Sequence, residues 1–215
     1  MNLRSKLSCT AGCLLLAFVN AAAPASASTM SGTLSTDDQV VQFTWNLSQA
    51  SNVVAYTDSY ASAGFVPVLS LFDGTTGAFI TSNGGDASCS HGRMMDAGTG
   101  ICNDAYLTAS LAKGTYTVAL SEFFNYPNGP NLSNGFSQTG TGNFTSSVCS
   151  GASGAFFETD LAPCVQRTGN YSVNLSTSAT ATPEPATAWL FLPVIALAAY
   201  SYRKSKNLAE APSKS

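Results

Sequence analysis

A two-residue period runs through most of the middle of this chain and limits what it can become. In Val40–Leu47, Val41, Phe43, Trp45 and Leu47 point one way while Gln42, Thr44 and Asn46 point the other, the alternation of a strand with one buried face. Val53–Thr57 and Val66–Phe72 are shorter apolar runs, and Asp73-Gly74 ends the second as a turn. Phe79–Thr81 pairs back across Gly77 as a hairpin partner. Ala105–Leu111 sets Ala105, Leu107, Ala109 and Leu111 against Tyr106, Thr108 and Ser110. Lys113-Gly114 then turns the chain into Thr115–Leu120, with Tyr116, Val118 and Leu120 inward, and Asn170–Leu175 repeats the pattern through Tyr171, Val173 and Leu175. No helical period of comparable quality precedes residue 183. About eight short strands with turn residues between them predict an all-β fold, an antiparallel two-sheet β-sandwich of jelly-roll-like kind.

Two stretches do not read as strands. Ser82–Asn103 is Gly-rich and reads as a long loop; Asn125–Leu161 is rich in Pro, Gly and Asn, with Phe136, Phe144, Phe156 and Phe157 spaced through it. A structureless loop of that length is uncommon, so short strands are expected at Gly142–Thr145 and Ala155–Thr159. Cys89, Cys102 and Cys149 lie in these stretches, and Cys164 lies just after the second. Four cysteines allow three pairings; Cys89–Cys102 and Cys149–Cys164 are favoured because each pair brackets one loop-like segment. Zinc is the alternative, but C-x-x-C is missing and His91 is the only histidine.

The two ends have their own chemistry. Met1–Ala27 carries Arg4 and Lys6, the apolar run Leu14–Val19 and Ala25-Ser26-Ala27, the three parts of a secretory signal peptide cleaved after Ala27. At the other end, Ala186–Tyr202 holds no charge, and its 17 residues would span about 25 Å as a helix. That is enough for one transmembrane helix if the bilayer thins slightly. Arg203, Lys204 and Lys206 follow and would be held on the cytoplasmic side. Residues 203–215 are then a basic cytoplasmic tail.

Between Ser28 and Thr180, Arg93, Lys113 and Arg167 oppose ten acidic residues, three against ten giving −7, whereas the whole chain carries −3. Such a field disfavours nucleic acid and anionic lipid as partners and is compatible with hard cations.

Pro183-Glu184-Pro185, then the apolar span, then the basic cluster resembles the PEP-CTERM sorting signal of bacterial surface proteins. The resemblance extends inward. Val68–Asp73, Asp104–Thr108 and Leu111–Val118, with its Gly114-Thr115-Tyr116-Thr117 strand, resemble the bacterial pre-peptidase C-terminal (PPC-like) domain. They are also similar to a group of PEP-CTERM proteins with such an ectodomain. The resemblance implies a β-sandwich of accessory or surface character, export through the Sec machinery, and recognition of Pro183-Glu184-Pro185 by a membrane-embedded exosortase. It brings no catalytic residues, and the Asn125–Leu161 insertion departs from the simple domain.

Catalytic signatures are scarce. A Ser/His/Asp arrangement would need His91, yet no serine stands in G-x-S-x-G. Glu122, Glu158 and Asp160 are the carboxylates a glycoside hydrolase could use, though no motif selects them. Calcium is the one ion the pattern admits: Asp37-Asp38 open the first long strand, and Asn83, Asp86, Asp96 and Asp104 share one loop system. The plainer reading is a set of solvated loop carboxylates. Tyr60, Phe123, Phe124, Tyr126 and Asn128 near loops suggest carbohydrate binding.

The expected organisation is thus a signal peptide (1–27), a β-sandwich ectodomain (28–178), a linker with Pro-Glu-Pro (179–185), a transmembrane helix (186–202) and a basic tail (203–215). The expected function is that of a non-enzymatic cell-surface or extracellular-matrix protein, membrane-anchored at least transiently and associated with exopolysaccharide. The alternative is a surface-displayed hydrolase acting on polysaccharide or peptide.

Overall fold

The computed structural model describes residues 26–180, apart from 86–88, 90, 92–93, 151, 160 and 162. The signal peptide up to Ala25, Asp86, Asp160, Pro183–Pro185, the apolar span and the basic cluster lie outside the described residues. Among the described residues, no helix is long and apolar enough to cross a membrane.

Ten strands form in chain order: β1 (Ser26–Thr33), β2 (Val41–Leu47), β3 (Ser51–Thr57), β4 (Pro67–Asp73), β5 (Phe79–Gly84), β6 (Tyr106–Leu111), β7 (Gly114–Glu122), β8 (Phe157–Glu158), β9 (Val165–Gln166) and β10 (Asn170–Ala179). Two four-stranded sheets have the orders β1-β10-β3-β6 and β2-β7-β4-β5, every pairing antiparallel. The pairs β4–β5, β3–β6, β2–β7 and β1–β10 are nested, as in one long hairpin folded double. Rolling that hairpin adds β10 beside β3 and β7 beside β4, which is the jelly-roll arrangement. The sandwich expectation is met at this level.

Leu69, Leu71, Val118, Leu120, Val53, Leu107 and Val173 build the core between the sheets, each from the inward set of its strand. Three expectations differ in detail. Strand β1 begins at Ser26 and pairs Ser26 and Ala27 with Thr177 and Ser176, two residues before the expected cleavage point. Its side chains are exposed except at Met30, so backbone pairing to β10, not an apolar alternation, makes it a strand. Strand β5 continues to Gly84, shortening the loop expected from Ser82. At 145–148 the chain forms a one-turn helix α1 (Thr145–Val148) in place of a strand, while Phe157–Glu158 is the short strand expected in its neighbourhood.

The connections are sorted by end. Residues 48–50, 74–78 and 112–113 make short turns at one end, whereas 34–40, 58–66, 85–105 and 123–169 gather at the other. The insertion also folds back over the second sheet. Its Phe136 and Leu132 pack with Phe72, Ala119 and Val40 in a second small core. Phe72 and Ala119 follow Leu71 and precede Leu120, so they point away from the main core. Sheet β2-β7-β4-β5 is therefore covered on both faces, and β4 is buried along Pro67–Phe72. The insertion shields the free edge of β5 too: Phe79 N donates to Pro130 O at 2.8 Å, and Ala78 bridges Asn131, covering backbone groups that would otherwise offer an open edge.

Candidate functional site

The disulfides are Cys89–Cys102 and Cys149–Cys164, the pairing favoured from the sequence. They staple the two long loops of the crowded end and fit an oxidising, extracellular setting.

Beneath those loops lies a buried ionic centre. Tyr60 O–H donates to Glu158 Oε1 and Oε2 at 2.5 and 2.6 Å, and Asn103 Nδ2 donates to Oε1 at 2.8 Å. Arg167 is 7 % exposed. Its guanidinium pairs with Asp96 at 3.2 Å, donates through Nε to Gly64 O at 2.9 Å and through Nη2 to Tyr60 O, and lies 3.9 Å over the Tyr60 ring. Burial pushes the Tyr60 phenol up, and the Glu158 carboxylate adds to the shift. Burial works against Asp96 ionisation, but donors from Thr99 and the Arg167 charge outweigh it and hold the carboxyl below its usual value. Glu122 is 2 % exposed and its Oε2 has no hydrogen-bond partner. Burial, reinforced by Asp37 and Glu158, raises its pKa well above the ordinary value, with Arg167 opposing.

Of the expected calcium ligands, Asp86 lies outside the described residues, and the others are each engaged by partners of their own. Asp37 is fully buried and accepts from Phe156 N at 2.6 Å, Thr145 N at 2.9 Å and Thr145 Oγ1 at 2.5 Å, pinning the second disulfide loop. Asp38 accepts from Gly140 N at 3.1 Å. A hydrogen bond from Thr36 lowers its pKa most, ahead of the opposing burial. Asp96 caps a turn through Gly98 N and Thr99 N and pairs with Arg167. Asp104 accepts from Thr57 Oγ1 at 2.7 Å and Tyr60 N at 3.2 Å. Asn83 accepts from Tyr106 N. Among the described residues, no group of three or more His, Cys, Asp or Glu side chains could hold a metal ion.

Of the carboxylates suggested for hydrolysis, Asp160 lies outside the described residues and Glu122 and Glu158 are enclosed. Glu158 is 1 % exposed and engaged by Tyr60 and Asn103, and Glu122 is equally sealed. His91 stacks on Tyr106, ring centres 3.9 Å apart at 11°.

The aromatic residues are different. As β7 ends, Phe123 and Phe124 face each other at 4.5 Å between ring centres, and Phe123 meets Tyr126 edge-on at 5.9 Å. Phe124, Phe79 and Tyr126 are 42 %, 38 % and 37 % exposed. Phe79 and Tyr126, with Ser82, Pro127, Asn128, Gly129 and Pro130, line a shallow cavity of about 370 Å³, within the range of small-ligand sites. None of these residues is charged. The backbone that carries them is held firmly. Phe124 sits at φ 70°, a left-handed conformation that costs a bulky residue about 1–2 kcal/mol. Ser137 keeps it there, donating through Oγ to Phe124 O at 2.8 Å, accepting from Tyr126 N at 3.1 Å and donating its own N–H to Tyr126 O at 2.8 Å. Asn125, fully buried, donates to Asp38 O at 3.1 Å and accepts from Gln138 N at 2.9 Å. Of the residues suggested for carbohydrate binding, Tyr126 and Asn128 line this cavity, Phe123 and Phe124 join it through the Phe123–Tyr126 contact, and Tyr60 belongs to the buried centre. Sequence pattern missed Phe79, which reaches the site because the insertion folds back along β5.

No protein-family model matches this chain, and no curated protein shows significant similarity to it.

Proposed function

We propose that this chain is an exported, non-enzymatic cell-surface or extracellular-matrix protein that associates with exopolysaccharide. In this reading Met1–Ala27 directs Sec export, Ala186–Tyr202 anchors the chain in the membrane at least transiently, and Arg203, Lys204 and Lys206 stay in the cytoplasm. Pro183-Glu184-Pro185 is a PEP-CTERM mark for an exosortase. The observation that carries the binding role is the exposed, uncharged rings of Phe79 on β5 and of Phe124 and Tyr126 on the loop after β7, which is strained at Phe124. Exposed rings on a rigid loop suit the apolar faces of sugar rings, and strain held at loop residues is a mark of ligand sites. The two disulfides support the extracellular setting. The hydrolase alternative draws less support, because Glu122 and Glu158 are closed off from solvent.

The test has two arms. Polysaccharide pull-down with the full chain should be lost in Phe124→Ala/Tyr126→Ala while thermal stability is kept; undiminished binding by the double variant would refute the role of this face. Deleting Pro183–Pro185 should leave the ectodomain membrane-bound, and unchanged processing would refute the sorting role.

A further inference from the structure

At the end of the sandwich with short turns, a second cavity of about 310 Å³ opens between the two sheets. Its walls come from the last residues of β2 and β10, the first of β1 and β3, and the turn between β2 and β3. Trp45, Leu47 and Leu175 give its apolar wall, and Ser28, Gln49, Ser51 and Thr177 bring hydroxyls and an amide to it. No lining side chain is charged. Trp45 is paired in register with Tyr116, and their rings lie 6.0 Å apart, so the indole is held from behind. Its Nε1–H is shielded and has no hydrogen-bond partner, which leaves an unmet donor in the wall. Asn46, next to Trp45 in β2, points to the other face, where Thr115 Oγ1 donates to its Oδ1 at 2.6 Å, so the polar wall is left to Ser28, Gln49, Ser51 and Thr177.

We propose that this cavity is a second carbohydrate subsite, taking one neutral glycosyl residue with its apolar face on Trp45 and its hydroxyls on Gln49, Ser51 and Thr177. An aromatic wall, several neutral donors and acceptors, and no charge match a polyhydroxylated uncharged ring better than a carboxylate, phosphate or ammonium ligand. The size fits a single small ring, since binding cavities begin near 300 Å³. The aromatic face lies on the outer side of the second sheet, where Phe79 packs on Phe72, whereas this cavity opens between the two sheets beside the β2–β3 turn. One chain can therefore hold two polysaccharide strands, or two points of one strand, and avidity between such sites raises retention without any new contact. Cleavage after Ala27 would remove Ser26 from the rim and leave Ser28 in the wall.

Trp45 is its own reporter. The only other tryptophan is Trp189, so in full-length Trp189→Phe the emission comes from one indole. The probes are neutral oligosaccharides of glucose, N-acetylglucosamine, galactose and mannose, with glucuronate and galacturonate oligomers beside them. A saturable emission change is expected with at least one neutral oligosaccharide. It should weaken at least tenfold in Gln49→Ala and vanish in Thr177→Leu, which fills the cavity, and it should persist in Phe124→Ala/Tyr126→Ala. Circular dichroism melts identify any variant that has lost its fold; Gln49, on an exposed turn, is the substitution expected to keep it. No saturable change with any neutral probe, a change seen only with the uronates, or one unaltered in both Gln49→Ala and Thr177→Leu would overturn the proposal. Loss of the signal in Phe124→Ala/Tyr126→Ala alone would assign the binding to the aromatic face and overturn the second subsite.

Discussion

Arg167 is the residue on which the crowded end of the sandwich depends, and Arg167→Met tests that dependence. The methionine replaces much of the apolar volume but none of the five donors. It removes a 3.2 Å ion pair to Asp96, the 2.9 Å bond to Gly64 O, the bond to Tyr60 O and the stacking over the Tyr60 ring. Removing one partner of a buried pair costs about 3–5 kcal/mol. Asp96 retains Gly98 N, Thr99 N and Thr99 Oγ1 as donors, so its charge loses its counter-ion but not its hydrogen bonds, and the lower part of that range applies. Gly64 O loses its Arg167 donor while Tyr60 O keeps Ala63 N, and the total stays at about 3–4 kcal/mol. For a domain of about 150 residues this corresponds to a fall in Tm of roughly 6–16 °C. The assay is thermal unfolding of the oxidised protein followed by far-ultraviolet circular dichroism. The exposed Lys113→Met serves as control and should stay within about 0.5 kcal/mol of the parent. Adding Asp96→Asn to Arg167→Met should recover part of the loss, because the uncompensated charge is then gone. A fall in Tm below about 3 °C, or a double variant no better than the single one, would refute the reasoning.

Other outcomes follow from the same contacts. Glu122 has a folded pKa raised well above 4.5, so its contribution to stability is full below that pH and is lost as pH rises through the folded value. The loss can reach about 1.4 kcal/mol per pH unit; urea titrations from pH 4 to 8 should show a flatter profile for Glu122→Gln, which should be the more stable protein at pH 8. Asn125→Ala removes two hydrogen bonds at the root of the insertion and should cost about 2–3 kcal/mol. It should also raise protease cleavage within 126–140 and weaken binding at the aromatic face, read by limited proteolysis and pull-down. Millimolar calcium should move Tm by less than about 1 °C, because Asp37, Asp38, Asp96 and Asp104 are engaged separately; a larger stabilisation would point to a bound ion.

The inward and outward positions of β2, β6, β7 and β10 were legible in the sequence because alternation along a strand is a local property. The cysteine pairing was legible for a similar reason, since each disulfide closes a segment of 13 or 15 residues. Strand β1 was not legible: Ser26–Thr33 has almost no apolar period, and its structure comes from a partner some 145 residues away, as between Thr29 and Asn174. The candidate site divides in the same way. Phe123, Phe124 and Tyr126 are neighbours in the chain and announce themselves as a cluster, but Phe79 joins them only through the fold of the insertion along β5. Nor could composition tell a solvated aspartate from Asp37, which is buried because Thr145 and Phe156 bring their backbone N–H groups to it. The chain by itself determined which residues make strands, which loops are stapled and where the aromatic residues cluster, because these depend on near neighbours. The tertiary structure decided which carboxylates are sealed inside, which face of β4 is covered twice, and where Trp45 meets an open cavity. Burial and charge coupling are set by groups brought together from distant parts of the chain, and no local pattern records them.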